Sequence, residues 1–218
     1  MPEPITVIGF SGGLLAVMGH LARRYFDTAK EIFDIILGGL FFICALPVLT
    51  VCVLIIKLSS RGPVLFNQMR LGKDGVPFRM YKLRTMYMNA EEASGAKWAE
   101  KDDPRVIPAC RWMRHSHMDE LPQLINVMKG DMSIVGPRPE RPEIFEDLKK
   151  AYPEANRRLA VRPGITGLAQ VRNGYDTSIE AFRNKLEADL EYIEKRRWRV
   201  ELRILAATLG KLHDAQAH

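Results

Sequence analysis

Asp119 and Glu120 stand side by side in the run His117-Met118-Asp119-Glu120-Leu121-Pro122-Gln123. Proline suits the first position of a helix, so the two carboxylates are expected at a helix N-terminus. There the positive end of the backbone dipole would keep them ionised. Adjacent ionised carboxylates can bind a divalent cation or attack an electrophile. An Asp-Glu pair in that place can also do no more than cap the helix. Downstream, Arg138 lies between Pro137 and Pro139, which fix the backbone on both sides and present its guanidinium from a stiff loop. A planar, five-donor guanidinium is well matched to a phosphate, although a surface arginine in a turn fits the same pattern. Arg162-Pro163-Gly164-Ile165-Thr166-Gly167 adds a glycine-punctuated loop with a cation and a hydroxyl, compatible with phosphate or sugar contact. Its glycine spacing is neither that of a P-loop nor that of a dinucleotide fingerprint. His115 and His117 flank Ser116, but no ordered partner for a triad or a metal pair follows.

These residues are preceded by a segment of different character. From Ile35 to Ile56 the chain carries twenty-two residues without a charge. As a straight helix this run would be about 33 Å long, against a hydrocarbon core of about 30 Å. Membrane insertion follows from that length and composition. Pro47 stands near the middle, where it removes one backbone bond and a kink is expected. Basic residues flank both ends: Arg23, Arg24 and Lys30 before, Lys57, Arg61, Arg70 and Lys73 after. Short basic flanks prefer the cytoplasmic side. A re-entrant hairpin bent at Pro47 satisfies both flanks, whereas a full span leaves one outside. Ahead of the run, Leu21, Tyr25, Ala29, Ile32, Phe33 and Ile36 recur at helical spacing with charges between them. Such a helix suits the membrane interface, or packing on the soluble body.

The charge follows the same division. Residues 1–56 carry three Lys/Arg and four Asp/Glu, net -1, while the whole chain is +6 and the remainder therefore +7. Such a body favours an anionic partner. Cys44, Cys52 and Cys110 make no disulfide framework or metal spacing and read as small buried hydrophobes. Gly72 to Gly75 is a turn between two short strands, Val64-Leu65-Phe66 and Phe78 to Leu83, with Arg79, Lys82 and Arg84 nearby. Residues 88–104 are a polar loop. Arg111 to Lys129 has a helical pattern interrupted by Pro122, and two more helices follow from Ile179 and from Leu202. Lys195-Arg196-Arg197-Trp198-Arg199 is a basic run whose tryptophan suits an anionic lipid surface. The expected architecture is a helix-rich α+β chain. Residues 1–57 form an N-terminal segment, interfacial helix and re-entrant membrane hairpin, and residues 58–218 form a small cytoplasmic catalytic domain with short strands and amphipathic helices.

The stretch from Asp119 to Pro139 resembles, almost throughout, the central signature of the bacterial sugar transferases, the monotopic phosphoglycosyl transferase superfamily. Gly62-Pro63-Val64-Leu65-Phe66, Tyr81-Lys82-Leu83-Arg84-Thr85-Met86, Asp103-Pro104-Arg105 and Arg162 to Gly167 are similar to further family motifs, in the same order. The resemblance implies transfer of a sugar 1-phosphate from a UDP-sugar to a polyprenyl phosphate in the cytoplasmic membrane, releasing UMP. It implies Asp119 as nucleophile forming a covalent phosphosugar intermediate, Glu120 as its partner in the dyad, and Mg²⁺ as cofactor held by both. Arg114 and Arg138 match positions that contact phosphate, and Lys82, Arg84 and Arg162 are the further candidates. The resemblance also favours the hairpin over the span, with membrane lipid as a partner and the catalytic domain on the cytoplasmic face. Two departures stand out: Leu46-Pro47 replaces the family's usual Ser-Pro, and Val171-Arg172-Asn173-Gly174-Tyr175 replaces a common Val-Asn-Gly-Arg. A membrane-anchored basic adaptor for acidic lipid or nucleic acid is the competing reading. The dyad argues against nucleic acid, and a homodimer is compatible with the sequence without being called for by it.

Overall fold

A computed structural model describes residues 10–88, 90, 103–173 and 179–214. Residues 1–9, most of the polar loop expected over 88–104, and the departure at Gly174-Tyr175 lie outside the described residues. The first element is one long helix, α1 (Phe10–Ser59), with Pro47 in its interior. Where two arms are expected, the helix continues through the proline. The Thr50 hydroxyl donates back to the Leu46 carbonyl at 2.8 Å, a bond of the kind that often bends a helix.

One face of α1 packs against the rest of the chain along most of its length. Lys30, Asp34, Gly38, Leu49, Cys52 and Ile56 are buried, and half-buried Phe42 and Ala45 continue the same stripe at helical spacing. Gly38 makes the closest approach possible: a Cβ there would stand 3.0 Å from the Val127 side chain. The opposite face stays apolar and exposed, with Ile36, Leu40, Ile43, Leu54 and Leu58 each more than half exposed. Residues 17–59 form a helix long and apolar enough to cross a membrane.

The body is α+β and rich in helix. β1 (Leu65–Leu71) pairs antiparallel with β2 (Pro77–Leu83), in a register that sets Phe66 opposite Lys82 and Leu71 opposite Pro77. The turn between them uses left-handed backbone at Asp74 and Gly75. After the short α2 (Arg111–His115) comes a single 3-10 turn, Met118–Glu120, and then α3 (Gln123–Met128). β3 (Ser133–Val135) pairs in parallel with β4 (Gly164–Thr166) as a two-stranded sheet, a pairing that the sequence does not predict. Between these strands lie α4 (Pro142–Ala151) and the 3-10 segment Pro153–Ala160; α5 (Leu168–Asn173), α6 (Ile179–Lys195) and α7 (Trp198–Asp214) follow.

Among the described residues, apolar side chains gather into three clusters. In one, Leu49, Cys52 and Ile56 of α1 meet Leu83, Ile107, Cys110 and Met113. In the second, Phe78, Met80, Val127, Ile134, Val135 and Ile204 are packed against by Leu37 of α1. The third joins Phe145 and Leu148 to Phe182 and Leu186. All three cysteines are free, Cys52 and Cys110 buried as expected and Cys44 exposed.

Polar contacts tie α1 down at both ends of its apolar run. Asp27 pairs with Arg196, Glu31 with Arg162, and Lys30 with Glu201 at 2.8 Å, while the Ser133 hydroxyl donates to Asp34 at 2.6 Å. At the other end Arg84 donates to the Ser60 and Arg61 carbonyls at 3.0 and 2.8 Å. Charged residues before the apolar run thus grip the body, the second of the two settings the sequence allowed for this helix. Trp198 packs edge-on to Phe26 and Phe33 of α1.

Candidate active site

Asp119 and Glu120 lie on the 3-10 turn Met118–Glu120, entered through His117 in a left-handed conformation (φ 57°). A non-glycine residue in that region is uncommon, and here it turns the chain sharply between α2 and the dyad. Both carboxylates are buried. α3 is only six residues long and begins after Pro122. Its dipole is therefore a weaker influence on the dyad than the cations that surround it.

Both oxygens of Glu120 accept hydrogen bonds. Lys82, on β2, donates to Oε1 at 2.8 Å. Arg138 donates through Nη1 to Oε2 at 3.1 Å and through Nη2 to Oε1, a two-pronged guanidinium–carboxylate pair. Burial alone would raise the pKa of Glu120, but Arg138 and Lys82 outweigh it and hold the group well below its usual 4.5. Lys82 in turn is lowered by burial, against the pull of Glu120.

Asp119 is set up differently. Among the described residues no hydrogen bond or ion pair reaches its carboxylate. Burial raises it above its usual 3.8, Lys82 draws it down, Glu120 raises it again, and Arg114 and His117 oppose that. Two adjacent carboxylates are thus pushed in opposite directions, a common sign of divided labour at a reactive site. Arg114 rests on the Thr85 hydroxyl at 3.3 Å. Nearby, Arg105 and Asp103 form a close pair that holds Asp103 at about 2, chiefly through the hydrogen bond from Arg105.

The arrangement fits a magnesium ion. Mg²⁺ takes hard oxygen ligands and is usually held by one or two carboxylates together with substrate phosphates rather than by a complete protein cage. Asp119 and Glu120 supply such oxygens, and the unbonded carboxylate of Asp119 is the open one. Among the described residues no cluster of three or more His, Cys, Asp or Glu side chains could hold a metal alone.

Of the residues singled out from sequence, the structure gathers Asp119, Glu120, Lys82, Arg138 and Arg114. Two others sit elsewhere. Arg84 is buried and donates to a carbonyl just past the C-terminal end of α1, and Arg162 pairs with Glu31 near the middle of that helix. Pro47 lies within α1, away from the dyad in sequence, while Cys52 one turn on lies near Asp119. In the run Lys195 to Arg199, Lys195 pairs with Glu191 and Arg196 with Asp27, so two of its cations are already occupied.

The glycine-punctuated loop turns out to be a support. A Cβ on Gly136 would stand 2.5 Å from the Arg162 carbonyl and 2.9 Å from the Gly164 nitrogen. Backbone therefore lies directly on backbone where β3 meets β4, immediately before Arg138. Four successive carbonyls of that loop each receive a donor. Gly164 N–H reaches Pro137 at 2.9 Å, Arg158 reaches Arg138 at 2.9 Å, Arg70 reaches Pro139 at 3.1 Å, and Leu71 N–H reaches Glu140 at 3.0 Å. Arg70 and Arg158 carry no signal in the sequence, because their partners are fixed only by tertiary packing.

Comparison with known proteins places this geometry in context. A family model described as "Bacterial sugar transferase" matches residues 25–215. The chain is 40% identical over 197 residues to the UDP-glucose:undecaprenyl-phosphate glucose-1-phosphate transferase of Caulobacter vibrioides, covering 89% of this chain and 73% of that one. It is 37% identical to the exopolysaccharide production protein PSS of Rhizobium leguminosarum, covering 83% and 92%. The UDP-N-acetylgalactosamine-undecaprenyl-phosphate N-acetylgalactosaminephosphotransferase of Aeromonas hydrophila is 43% identical over 68% of this chain, which spans only 35% of that protein.

Proposed function

The chain belongs to the bacterial sugar transferase family, and from that membership and the geometry of the dyad we propose that it moves a sugar 1-phosphate from a UDP-sugar to a polyprenyl phosphate, releasing UMP. The observation that carries this reading is the contrast within the dyad. Glu120 accepts three bonds from Arg138 and Lys82, while Asp119, buried beside Lys82 and Arg114, keeps an open carboxylate.

In this reading an Asp119 carboxylate oxygen attacks the β-phosphorus of the UDP-sugar. The bond from that phosphorus to the bridging oxygen breaks, UMP leaves with the electron pair, and the phosphosugar stays on Asp119. A phosphate oxygen of the polyprenyl phosphate then attacks the same phosphorus and frees the carboxylate. A polyprenyl-diphosphate sugar results, and no proton is left unaccounted for. Arg114 and Lys82 balance negative charge at the reacting phosphate, and Arg138 holds Glu120 in place. Mg²⁺, held by the two carboxylates and the diphosphate, would neutralise the leaving group. The open position of Asp119 supports its use as the nucleophile.

We place α1 in the bilayer as a re-entrant helix bent at Pro47. Asp27, Lys30, Glu31 and Asp34 before the apolar run and Ser60 after it all contact the same body. A helix crossing the membrane would have to carry that body through the bilayer. Entering and leaving by one face leaves the body on the cytoplasmic side, with the exposed apolar face of α1 in lipid and the dyad beside it. Cysteines placed at residues 23 and 57 should both be labelled from the cytoplasmic side; labelling of either from the other side rejects the placement.

The reaction is tested with purified chain, Mg²⁺, polyprenyl phosphate and a panel of UDP-sugars. UMP release is expected with at least one sugar, lost with EDTA and restored by Mg²⁺. Intact mass should show a phosphosugar adduct that Asp119→Asn lacks. Full turnover by Asp119→Asn would end the covalent reading.

A further inference from the structure

The buried pair Arg158–Asp189 takes no part in the chemistry described above. Arg158 belongs to the segment Pro153–Ala160 and Asp189 to α6, and they are only 4% and 1% exposed. Burying two charges costs more than a hydrophobic pair of the same volume would, so such a pair is weak evidence for stability alone. Its geometry points to another use. Arg158 donates through Nε to Asp189 Oδ2 at 2.7 Å and through Nη2 to the carbonyl of Arg138 at 2.9 Å, and its Nη1 lies 3.6 Å from Glu140. The planar guanidinium is fixed along one edge by Asp189 and spends another edge on the backbone of the residue that grips Glu120.

We propose that Arg158, oriented by Asp189, is a positioning residue that sets how the Arg138 guanidinium meets Glu120, which makes α6 part of the site's support. The proposal rests on the phosphosugar transfer reading. Lysine at 158 could donate to Asp189 or to the Arg138 carbonyl, but its single ammonium lacks the fork to hold both in this geometry. Misplacement of a reacting group by about 1 Å can cost on the order of 100-fold.

The test is a double-mutant cycle on the full chain, read as UMP release. Arg158→Lys should lower kcat/KM by about 10- to 100-fold. Once Arg138→Ala has removed the guanidinium, adding Arg158→Lys should change kcat/KM by less than about 3-fold. Losses that multiply in the double variant would show that Arg158 acts independently of Arg138 and overturn the proposal. Asp189→Ala should reproduce the Arg158→Lys loss, and Asp189→Asn, which keeps the acceptor, should recover most of it; equal losses in both count against orientation by Asp189. A crystal structure of Asp189→Ala reads the claim without activity: Arg138 displaced from Glu120 supports it, and Arg138 still two-pronged on Glu120 refutes it. Wild-type chain without turnover on any UDP-sugar would remove the proposed reaction while leaving that structural result to decide the positioning.

Discussion

Gly136→Ala should inactivate the protein out of proportion to the size of the change. A Cβ at this position would lie 2.5 Å from the Arg162 carbonyl, so the two backbones must part by 0.9 Å to reach the 3.4 Å of ordinary contact. Three backbone hydrogen bonds span the junction: Ser133 to Pro163 at 2.8 Å, Gly136 to Thr166 at 2.8 Å, and Gly164 to Pro137 at 2.9 Å. Each is worth about 1 kcal/mol, and opening the junction weakens rather than abolishes them, for a loss of about 1–3 kcal/mol. In a chain of this size that lowers Tm by roughly 2–4 °C per kcal/mol. The displacement also feeds into Arg138, two residues on, and a shift near 1 Å predicts a fall in kcat on the order of 100-fold. UMP release and a thermal melt of the same sample separate the two effects. Gly210→Ala is the control: its Cβ would meet nothing within 4 Å, and alanine favours helix, so Tm should hold or rise. Gly136→Ala with wild-type turnover and unchanged Tm would refute the backbone-on-backbone account of how Arg138 is held.

Three further outcomes follow from contacts already described. Arg84→Met removes the charged donors to the Ser60 and Arg61 carbonyls and should cost about 2 kcal/mol, measured by thermal melt. Asp103 is held at about 2 by Arg105, below its usual 3.8, so its ionised form contributes stability that is complete above pH 3.8 and fades as pH falls toward about 2. Asp103→Asn should accordingly melt below wild type near neutral pH, with the gap closing at about pH 2. Gly38→Leu should push α1 off α3 and cost about 1–3 kcal/mol, whereas Gly39→Leu, facing only the Met128 sulfur at 3.8 Å, should be milder; melting temperatures compared side by side decide it.

The long apolar run, the β1–β2 hairpin and the last two helices were legible because length and periodicity reveal them. The β3–β4 pair was not, since three-residue strands carry no alternation to detect. Charge was legible in amount and not in destination. Lys30 reads as a basic flank of the apolar run, yet it is buried with Asp34 against Glu201 and Ser133. Arg84 and Arg162 read as candidates for phosphate, yet Arg84 donates to the Ser60 and Arg61 carbonyls and Arg162 pairs with Glu31. Their partners are set by packing between distant segments: Arg162 and Glu31 are 131 residues apart. Adjacency in sequence delivered Asp119 and Glu120 together, but it could not say that only one of them would be left open.

The buried stripe on α1 bears on how the chain is made. Leu49, Cys52 and Ile56 complete the cluster formed by Leu83, Ile107, Cys110 and Met113, and Leu37 closes a second one. In the proposed placement, α1 leaves the ribosome before the segments it will cover and meets lipid before they exist. An α1 held in the bilayer would then present this stripe as a fixed template onto which the body assembles. A body synthesised from residue 60 onward would keep those apolar faces uncovered and gather into aggregates, so the proposed placement makes membrane targeting and folding a single event.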